Sequence, residues 1–347
     1  MNRNELFFDR PASLQATEPP ESRGIARDEV RLLVSTPDGH THTVFYDLAR
    51  YLQPGDLLVI NRSATLPASL PAWASLGEFV LNVSTNYGGG LWLAEPRWSL
   101  SQPGPLPLEP SEPISIAGTA ARMVAPFPGL PRLWYVQSES NLCQLMARAG
   151  APIRYGYVQG FYPLEAYQTV FARIPGSAEM PSAGRPFTPR VLAALRARGV
   201  EMAGLTLHTG VSSLEVETDT VEEHSLYPEP FHVPVGTARA VNRARSEGRR
   251  VIAVGTTVVR ALEAAWDGKQ VSPARGFTRR YIHPGQGVHA VDGLVSGFHD
   301  PLASHLAMLY AIAGQELIRT AYAEAVQHGY LWHEFGDSHL ILPGKEG

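Results

Sequence analysis

The chain has 347 residues, 44% hydrophobic and 18% charged, with a net charge of −4 at neutral pH. That composition excludes a disordered, charge-rich polymer, and the length allows two domains or one large one. Without an excess of Lys and Arg it excludes a general nucleic-acid coat, so contact with phosphate backbones would need a local basic patch.

Residues 1–10 carry no basic segment followed by an apolar stretch, and no apolar run reaches the roughly 18 residues that cross a bilayer. A cytoplasmic protein with no membrane partner is expected. Alternation over 30–35 and 41–45, joined at Pro37-Asp38-Gly39, predicts a hairpin. A helical turn at 48–52 leads through Pro54-Gly55-Asp56 into the apolar run 57–60, short enough for a buried strand. From 66 to 136 short apolar stretches (78–83, 91–94, 114–117 and 121–125) are separated by Gly and Pro without helical period, the pattern of a small barrel or sandwich. The proline-rich piece 103–113 reads as a surface loop.

Strand and helix signals then alternate. Asn141 caps a helix to Ala149 that Gly150 ends, and the lone Cys143, among Leu142, Leu145 and Met146, reads as a core residue. One cysteine excludes an internal disulfide and a cysteine metal cluster. Thr188-Pro189 opens a helix that Gly199 ends, followed by a strand over 202–207. Pro234 opens a helix to about 247, before a β-branched strand over 250–254, the turn Gly255-Thr256-Thr257 and a helix over 258–266. A helix from about 304 to 328, with a break at Gly314, precedes a strand pair, 331–335 and 338–342, across Gly336-Asp337. The expected fold class is an α/β main domain, residues 1–65 and 137–347, carrying an inserted small all-β, barrel-like domain at 66–136.

Chemistry-bearing residues cluster where strands are expected to end. Gly255-Thr256-Thr257 would offer helix N–H groups and two hydroxyls to an anion, and Leu207-His208-Thr209-Gly210 follows another strand in the same topological place. His208 has the side chain for a general base near neutral pH, or for a plain structural hydrogen bond. Glu222-Glu223-His224, Val291-Asp292-Gly293 and Gly297-Phe298-His299-Asp300-Pro301 add acids and imidazoles. None has metalloprotease spacing, and His305 follows His299 by too many residues for a helical i, i+4 ligand pair, so no metal is expected. A phosphate-binding loop, GxGxxG and Gly-x-Ser-x-Gly are absent. Two basic stretches, Arg239, Arg243, Arg245, Arg249 and Arg250, and then Arg275, Arg279 and Arg280, are either solvated faces or phosphate contacts.

Several strings stand together in one order: Arg27-Asp28 with Arg31-Leu32-Leu33-Val34, Gly55-Asp56-Leu57-Leu58-Val59-Ile60-Asn61, Tyr167-Gln168-Thr169-Val170-Phe171-Ala172-Arg173, and Pro181-Ser182-Ala183-Gly184 with Phe187-Thr188-Pro189. Leu207-His208-Thr209-Gly210, Glu222-Glu223-His224, Ala253-Val254-Gly255-Thr256-Thr257 with Arg260 and Glu263, Val291-Asp292-Gly293-Leu294 with Phe298-His299, and Tyr330 with Gly336-Asp337 complete the series. This ordered set resembles the S-adenosylmethionine:tRNA ribosyltransferase-isomerase family of queuosine biosynthesis over nearly the whole chain. The resemblance implies a larger α/β domain with an inserted β-barrel. It also implies a metal-free reaction in which the ribose of S-adenosylmethionine, the co-substrate, is transferred and rearranged onto the aminomethyl group of a 7-deazaguanine in tRNA, releasing adenine and methionine.

On that footing His208, or a carboxylate at Glu222 or Glu223 beside His224, is the expected base. Thr256 and Thr257 would bind an anionic group, and Arg260, Asp292 and His299 would order substrate. Tyr167, Gln168, Gly184, Gly210, Gly255 and Phe298 are the remaining expected substrate-site residues. The chain departs from the family pattern at Asn61-Arg62-Ser63-Ala64, at Gly184-Arg185-Pro186-Phe187-Thr188, at Gly210-Val211-Ser212-Ser213-Leu214, at Tyr227 and at Gly297-Phe298-His299-Asp300-Pro301-Leu302-Ala303. These departures open two alternatives: an enzyme using S-adenosylmethionine or a related sulfonium on a small molecule without tRNA, and a non-catalytic binding protein on the same scaffold.

Overall fold

Alternating apolar residues around a tight turn give the first hairpin, β1 (Arg31–Thr36) and β2 (Gly39–Val44), in register from Arg31 opposite Val44 to Thr36 opposite Gly39. The computed structural model describes residues 1–211 and 215–344. A 3-10 helix, Phe45–Tyr51, leads to β3 (Leu57–Asn61) and the short β4 (Ser63–Thr65). Then come β5 (Ser69–Ala74), β6 (Gly77–Gly88), β7 (Leu91–Arg97), β8 (Pro113–Ile116), β9 (Thr119–Phe127) and β10 (Leu130–Ser138), which close into a barrel in the order β10-β7-β6-β5-β8-β9. Closure leaves this unit no open sheet edge. The proline-rich loop lies between β7 and β8, as its composition requires.

After the barrel come α1 (Leu142–Ala149), β11 (Ile174–Ser177), α2 (Pro189–Ala197), β12 (Glu201–Leu207), β13 (Glu229–Val233) and α3 (Val235–Ser246). They are followed by β14 (Val251–Val254), α4 (Thr256–Ala264), β15 (Ala274–Thr278), β16 (Gly293–Gly297), α5 (Ser304–Ala313), α6 (Gln315–Gln327) and β17 (Ser338–Ile341). The caps fall where expected: Asn141 accepts from the Cys143 N–H at 3.0 Å, and Thr188 accepts from the Val191 N–H at 3.3 Å.

The main sheet has nine strands in the order β15-β13-β12-β3-β14-β16-β17-β1-β2. Strands β12, β3, β14 and β16 run parallel, while β17 runs against β16. The central run Leu57-Leu58-Val59-Ile60 is continuously apolar because helices cover both faces. Leu57 and Val59 join Val241, Val258 and Leu262 under α3 and α4, whereas Leu58 and Ile60 join Phe45, Leu48, Val191 and Leu195 under α2 and the 3-10 helix. Each such side chain, fully buried, contributes about 1.5–3 kcal/mol. No helix among the described residues is long and apolar enough to cross a membrane.

Three expectations need correction. Cys143 is exposed, not core: Leu142, Leu145 and Met146 form the buried face of α1 and Cys143 falls on the other. Residues 331–335 are not a strand, because β17 is already paired on both sides by β1 and β16. That segment instead folds back, with the Leu331 N–H donating to Asp337 at 2.8 Å and His333 in the left-handed region at a φ of 69°. Helix α4 starts at Thr256 instead of 258, which puts both threonines in its first turn.

Candidate functional site

The parallel strands β12, β3, β14 and β16 all end toward one crevice, the place where open α/β sheets bind ligands. It is lined by Tyr155, Glu179, Thr209, Gly255, Thr256, Thr257, Arg260, Ser296, Phe298, His299, His305, His333 and Glu334, among others.

One wall is the start of α4. Gly255, at a φ of 94°, turns β14 into the helix while its N–H donates to the Val295 carbonyl of β16 at 2.8 Å. The first-turn N–H groups of a helix have no intrahelical partner, so those of Thr256 and Thr257 are suited to an anion. Asn61, at the end of β3, fixes this wall: its amide donates to Thr257 Oγ1 at 3.1 Å and to the Leu207 carbonyl at 2.8 Å, and accepts from the Ser63 and Leu207 N–H groups at 3.0 and 3.2 Å. One turn along α4, the buried Arg260 pairs through Nη1 with Glu229 and through Nε with the Arg280 carbonyl at 3.0 Å. Its Nη2 is buried with no partner. A buried guanidinium nitrogen in that condition is costly unless a ligand meets it.

Glu229 also accepts from the Gly210 N–H at 2.8 Å, and a Cβ on Gly210 would lie 2.3 Å from Tyr227 Oη and 2.4 Å from Ser84 Oγ. Gly210→Ala should therefore cost stability by about 1–3 kcal/mol, the range for overpacking, read as a lowered midpoint in urea. An unchanged midpoint would show that Tyr227 and Ser84 yield freely.

The opposite wall carries imidazoles and carboxyls. His299 stacks on His305 with centroids 4.6 Å apart, and His299 Nε2 lies 2.9 Å from Ser296 Oγ. Burial drives His299 well below the usual histidine range and pushes His305 down to about 3, the Arg260 charge adding to the second. Both rings are thus neutral at pH 7. Glu334 is buried, its Oε2 has no partner, and desolvation with the nearby Glu179 charge pushes its carboxyl up to about 8, against a smaller opposing pull from Arg185. Tyr155 Oη donates to Glu179 at 2.8 Å.

Of the residues expected from sequence, the crevice brings together Gly255, Thr256, Thr257, Arg260, Phe298 and His299. His208 flanks it. Its Nδ1 lies 2.7 Å from Ser63 Oγ, which is 2.6 Å from Ser177 Oγ, and its ring packs against Gly176, so it ties β12 to the β4–β11 pair. His224 is buried edge-on to Tyr281 with centroids 5.1 Å apart, and burial lowers its pKa. Glu222 and Glu223 point outward, Glu222 holding the amino terminus at 2.7 Å. Asp292 sits at the other end of the sheet, accepting from the Val251 N–H at 2.8 Å where β14 begins. Tyr167 packs on Phe335 at 5.3 Å, the Gln168 amide pairs with the Thr65 backbone at 3.0 and 2.8 Å, and Gly184 lies under Phe171 and Thr169. Residues 212–214, where the chain departs from the family pattern, lie outside the described residues.

Sequence reading missed Glu179, Glu229, His333 and Glu334, and weighed His305 only as a metal ligand. The signal for two of them is a His-Glu pair inside the aromatic run Trp332-His333-Glu334-Phe335, polar residues in a segment whose pattern predicts a buried strand. Neither arginine that stands in a departing segment enters the crevice lining: Arg62 is exposed, and the buried Arg185 pairs with Glu21 at 2.8 Å. Of the first basic stretch, Arg243, Arg249 and Arg250 are held by Glu201, Glu247 and Asp56. In the second, Arg275, Phe277 and Arg279 are exposed on the edge strand β15 or just past it, and the Arg280 carbonyl meets Arg260.

Residues 3–341 match the model of a family described as queuosine biosynthesis protein. S-adenosylmethionine:tRNA ribosyltransferase-isomerase of Thermus thermophilus is 38% identical over 324 residues, covering 91% of this chain and 93% of the relative. The enzyme of the same name from Rubrobacter xylanophilus is 38% identical over 348 residues, covering 99% and 98%. Among solved structures, S-adenosylmethionine tRNA ribosyltransferase from Thermotoga maritima superposes with a TM-score of 0.55 at 27% identity, covering 97% of this chain and 100% of that one.

Proposed function

The chain belongs to the queuosine biosynthesis protein family, and on that footing we propose that it is an S-adenosylmethionine:tRNA ribosyltransferase-isomerase working in the crevice at the ends of β12, β3, β14 and β16. The ribosyl group of S-adenosylmethionine passes, with rearrangement, to the aminomethyl group of a 7-deazaguanine in tRNA, and adenine and methionine leave. The observation that carries the assignment of the site is the buried, partnerless Nη2 of Arg260 beside a helix N-terminus. Together they offer the methionine carboxylate two N–H donors and a cation.

The remaining chemistry calls for a proton acceptor near the carbon beside the sulfonium and a proton donor for the departing adenine. The crevice holds Glu179, His299, His305 and His333 as proton acceptors, of which burial makes His299 and His305 weak bases, and Glu334, protonated at pH 7, is the donor. His208 is given a positioning role through Ser63 and Ser177. The division into a main domain and an inserted barrel at residues 66–136, a cytoplasmic location and a reaction that calls on no metal are parts of the same proposal. Nothing in the crevice favours the small-molecule or non-catalytic alternatives.

The test is chromatography for adenine and methionine after mixing protein with S-adenosylmethionine, with and without tRNA bearing the aminomethyl-deazaguanine. Release only with that tRNA supports the proposal. Release without tRNA would make the protein a small-molecule enzyme, and no release in either mixture would sink the proposal.

For tRNA we propose contacts from Arg275 and Arg279, which flank the exposed Phe277. The Arg275→Ala/Arg279→Ala variant should raise the KM for tRNA and leave S-adenosylmethionine binding unchanged. It should also flatten the salt dependence of tRNA affinity, the log–log slope falling by about one for each phosphate that an arginine no longer neutralises. An unaltered salt slope would place the tRNA elsewhere.

A further inference from the structure

We propose that His42, Glu324 and His328 form a zinc site on the face of the protein where β2 meets α6. One ligand atom from each of the three residues lies within 4.8 Å of the others. Glu324 and His328 stand at i and i+4 near the end of α6, so both project from one helix face, and His42 reaches them from β2, the last strand of the sheet. His42 Nε2 is already 3.0 Å from Glu324 Oε2. A tetrahedral ion with bonds of about 2.0–2.1 Å needs its ligand atoms roughly 3.3 Å apart, so this edge is close to formed and the third ligand has to close by an ångström or so.

The second hydrogen bonds of the imidazoles are compatible with a metal. His328 Nδ1 lies 2.9 Å from the Glu324 backbone carbonyl, which can only accept, so Nδ1 carries a proton and Nε2 is left as the lone-pair nitrogen. His42 Nδ1 lies 2.9 Å from Tyr330 Oη. The tautomer with its proton on Nδ1, donating to Tyr330, frees Nε2 for a cation, whereas the other tautomer donates Nε2–H to Glu324. Metal-bound histidines generally donate their second N–H to an oxygen in this way. Two imidazoles and one carboxylate, with water completing the set, are a zinc ligand set rather than one for calcium or magnesium. The ion would tie the outer strand β2 to α6, and none of its three ligands lines the crevice.

The experiment is a calorimetric titration of zinc into the full-length, tag-free protein after removal of metals with a chelator, paired with cobalt absorption as a report of coordination. One zinc per chain is expected, with His42→Ala and His328→Ala each weakening binding by about 100-fold or more and Tyr330→Phe weakening it by about tenfold. Zinc should raise the unfolding midpoint of the wild type and leave that of His42→Ala/His328→Ala unchanged. Zinc binding that survives in that double variant, as it would if the crevice histidines were the ligands, would overturn the proposal. So would a wild-type protein that takes up no zinc, in which case His42 and Glu324 are an ordinary surface pair. Because the readouts are metal binding and unfolding, neither result depends on the transferase activity.

Discussion

Glu334→Gln should slow adenine release by about 10²–10⁴-fold, the usual contribution of a general acid, while S-adenosylmethionine affinity stays within a few-fold of wild type. Gln keeps the size and hydrogen-bonding shape of the protonated carboxyl but has no proton to give. Burial and the like charge of Glu179 hold the Glu334 carboxyl at about 8, so the wild-type rate should fall along a basic limb near that value, and this limb should vanish in the variant. The same ionisation acts on stability with a fixed sign. The pKa is raised in the folded state above its ordinary 4.5, so the folded chain holds this proton more tightly than the unfolded one. The stability contributed is complete below about 4.5 and is lost as pH rises through about 8. Denaturation profiles of wild type and Glu334→Gln should therefore diverge across that window, the variant losing less. A full rate in Glu334→Gln, or parallel profiles, would remove Glu334 from the chemistry.

Arg260→Met should cost about 3–5 kcal/mol of stability, the range for leaving one member of a buried ion pair alone, and should also abolish measurable S-adenosylmethionine binding. Glu229 is only 2% exposed and keeps the Gly210 N–H as its remaining donor once the guanidinium is gone. The double variant Glu229→Gln/Arg260→Met removes the stranded charge and should regain most of the stability, because a buried pair replaced by neutral groups is often nearly neutral overall. It should not regain binding, since the Nη2 donor is still missing. Chemical denaturation and calorimetry on the three proteins separate the two roles. Recovered binding in the double variant would show that Arg260 serves only the fold.

Much of the scaffold was legible because local rules and tertiary demands agreed. The run Leu57-Leu58-Val59-Ile60 is apolar at every position, which only a strand covered on both faces tolerates, and Asn141 and Thr188-Pro189 announced helices that form where expected. The candidate crevice was legible where chemistry coincides with such a boundary, at Gly255-Thr256-Thr257, which line it. Strings adjacent in sequence are not all brought together in space. Glu222, Glu223 and His224 form one string, yet a single 3-10 turn sends the carboxylates to solvent and the imidazole inward. Asp292 reads as a substrate residue beside Phe298 and His299, but β16 lies between them and carries them to opposite ends of the sheet. Glu334 escaped notice because its character comes from burial and from Glu179, far away in sequence, and no pattern in 331–335 encodes that partner.

The covering of β3 on both sides constrains how this protein can drift during evolution. Leu57 and Val59 answer to one layer of helices, Leu58 and Ile60 to the other, and Asn61 to the crevice wall, so no position in the strand offers a neutral direction for substitution. The first residue past the strand is Arg62, which is exposed. It is also where the departures from the family pattern begin, at the rim of the strand and outside its packed interior.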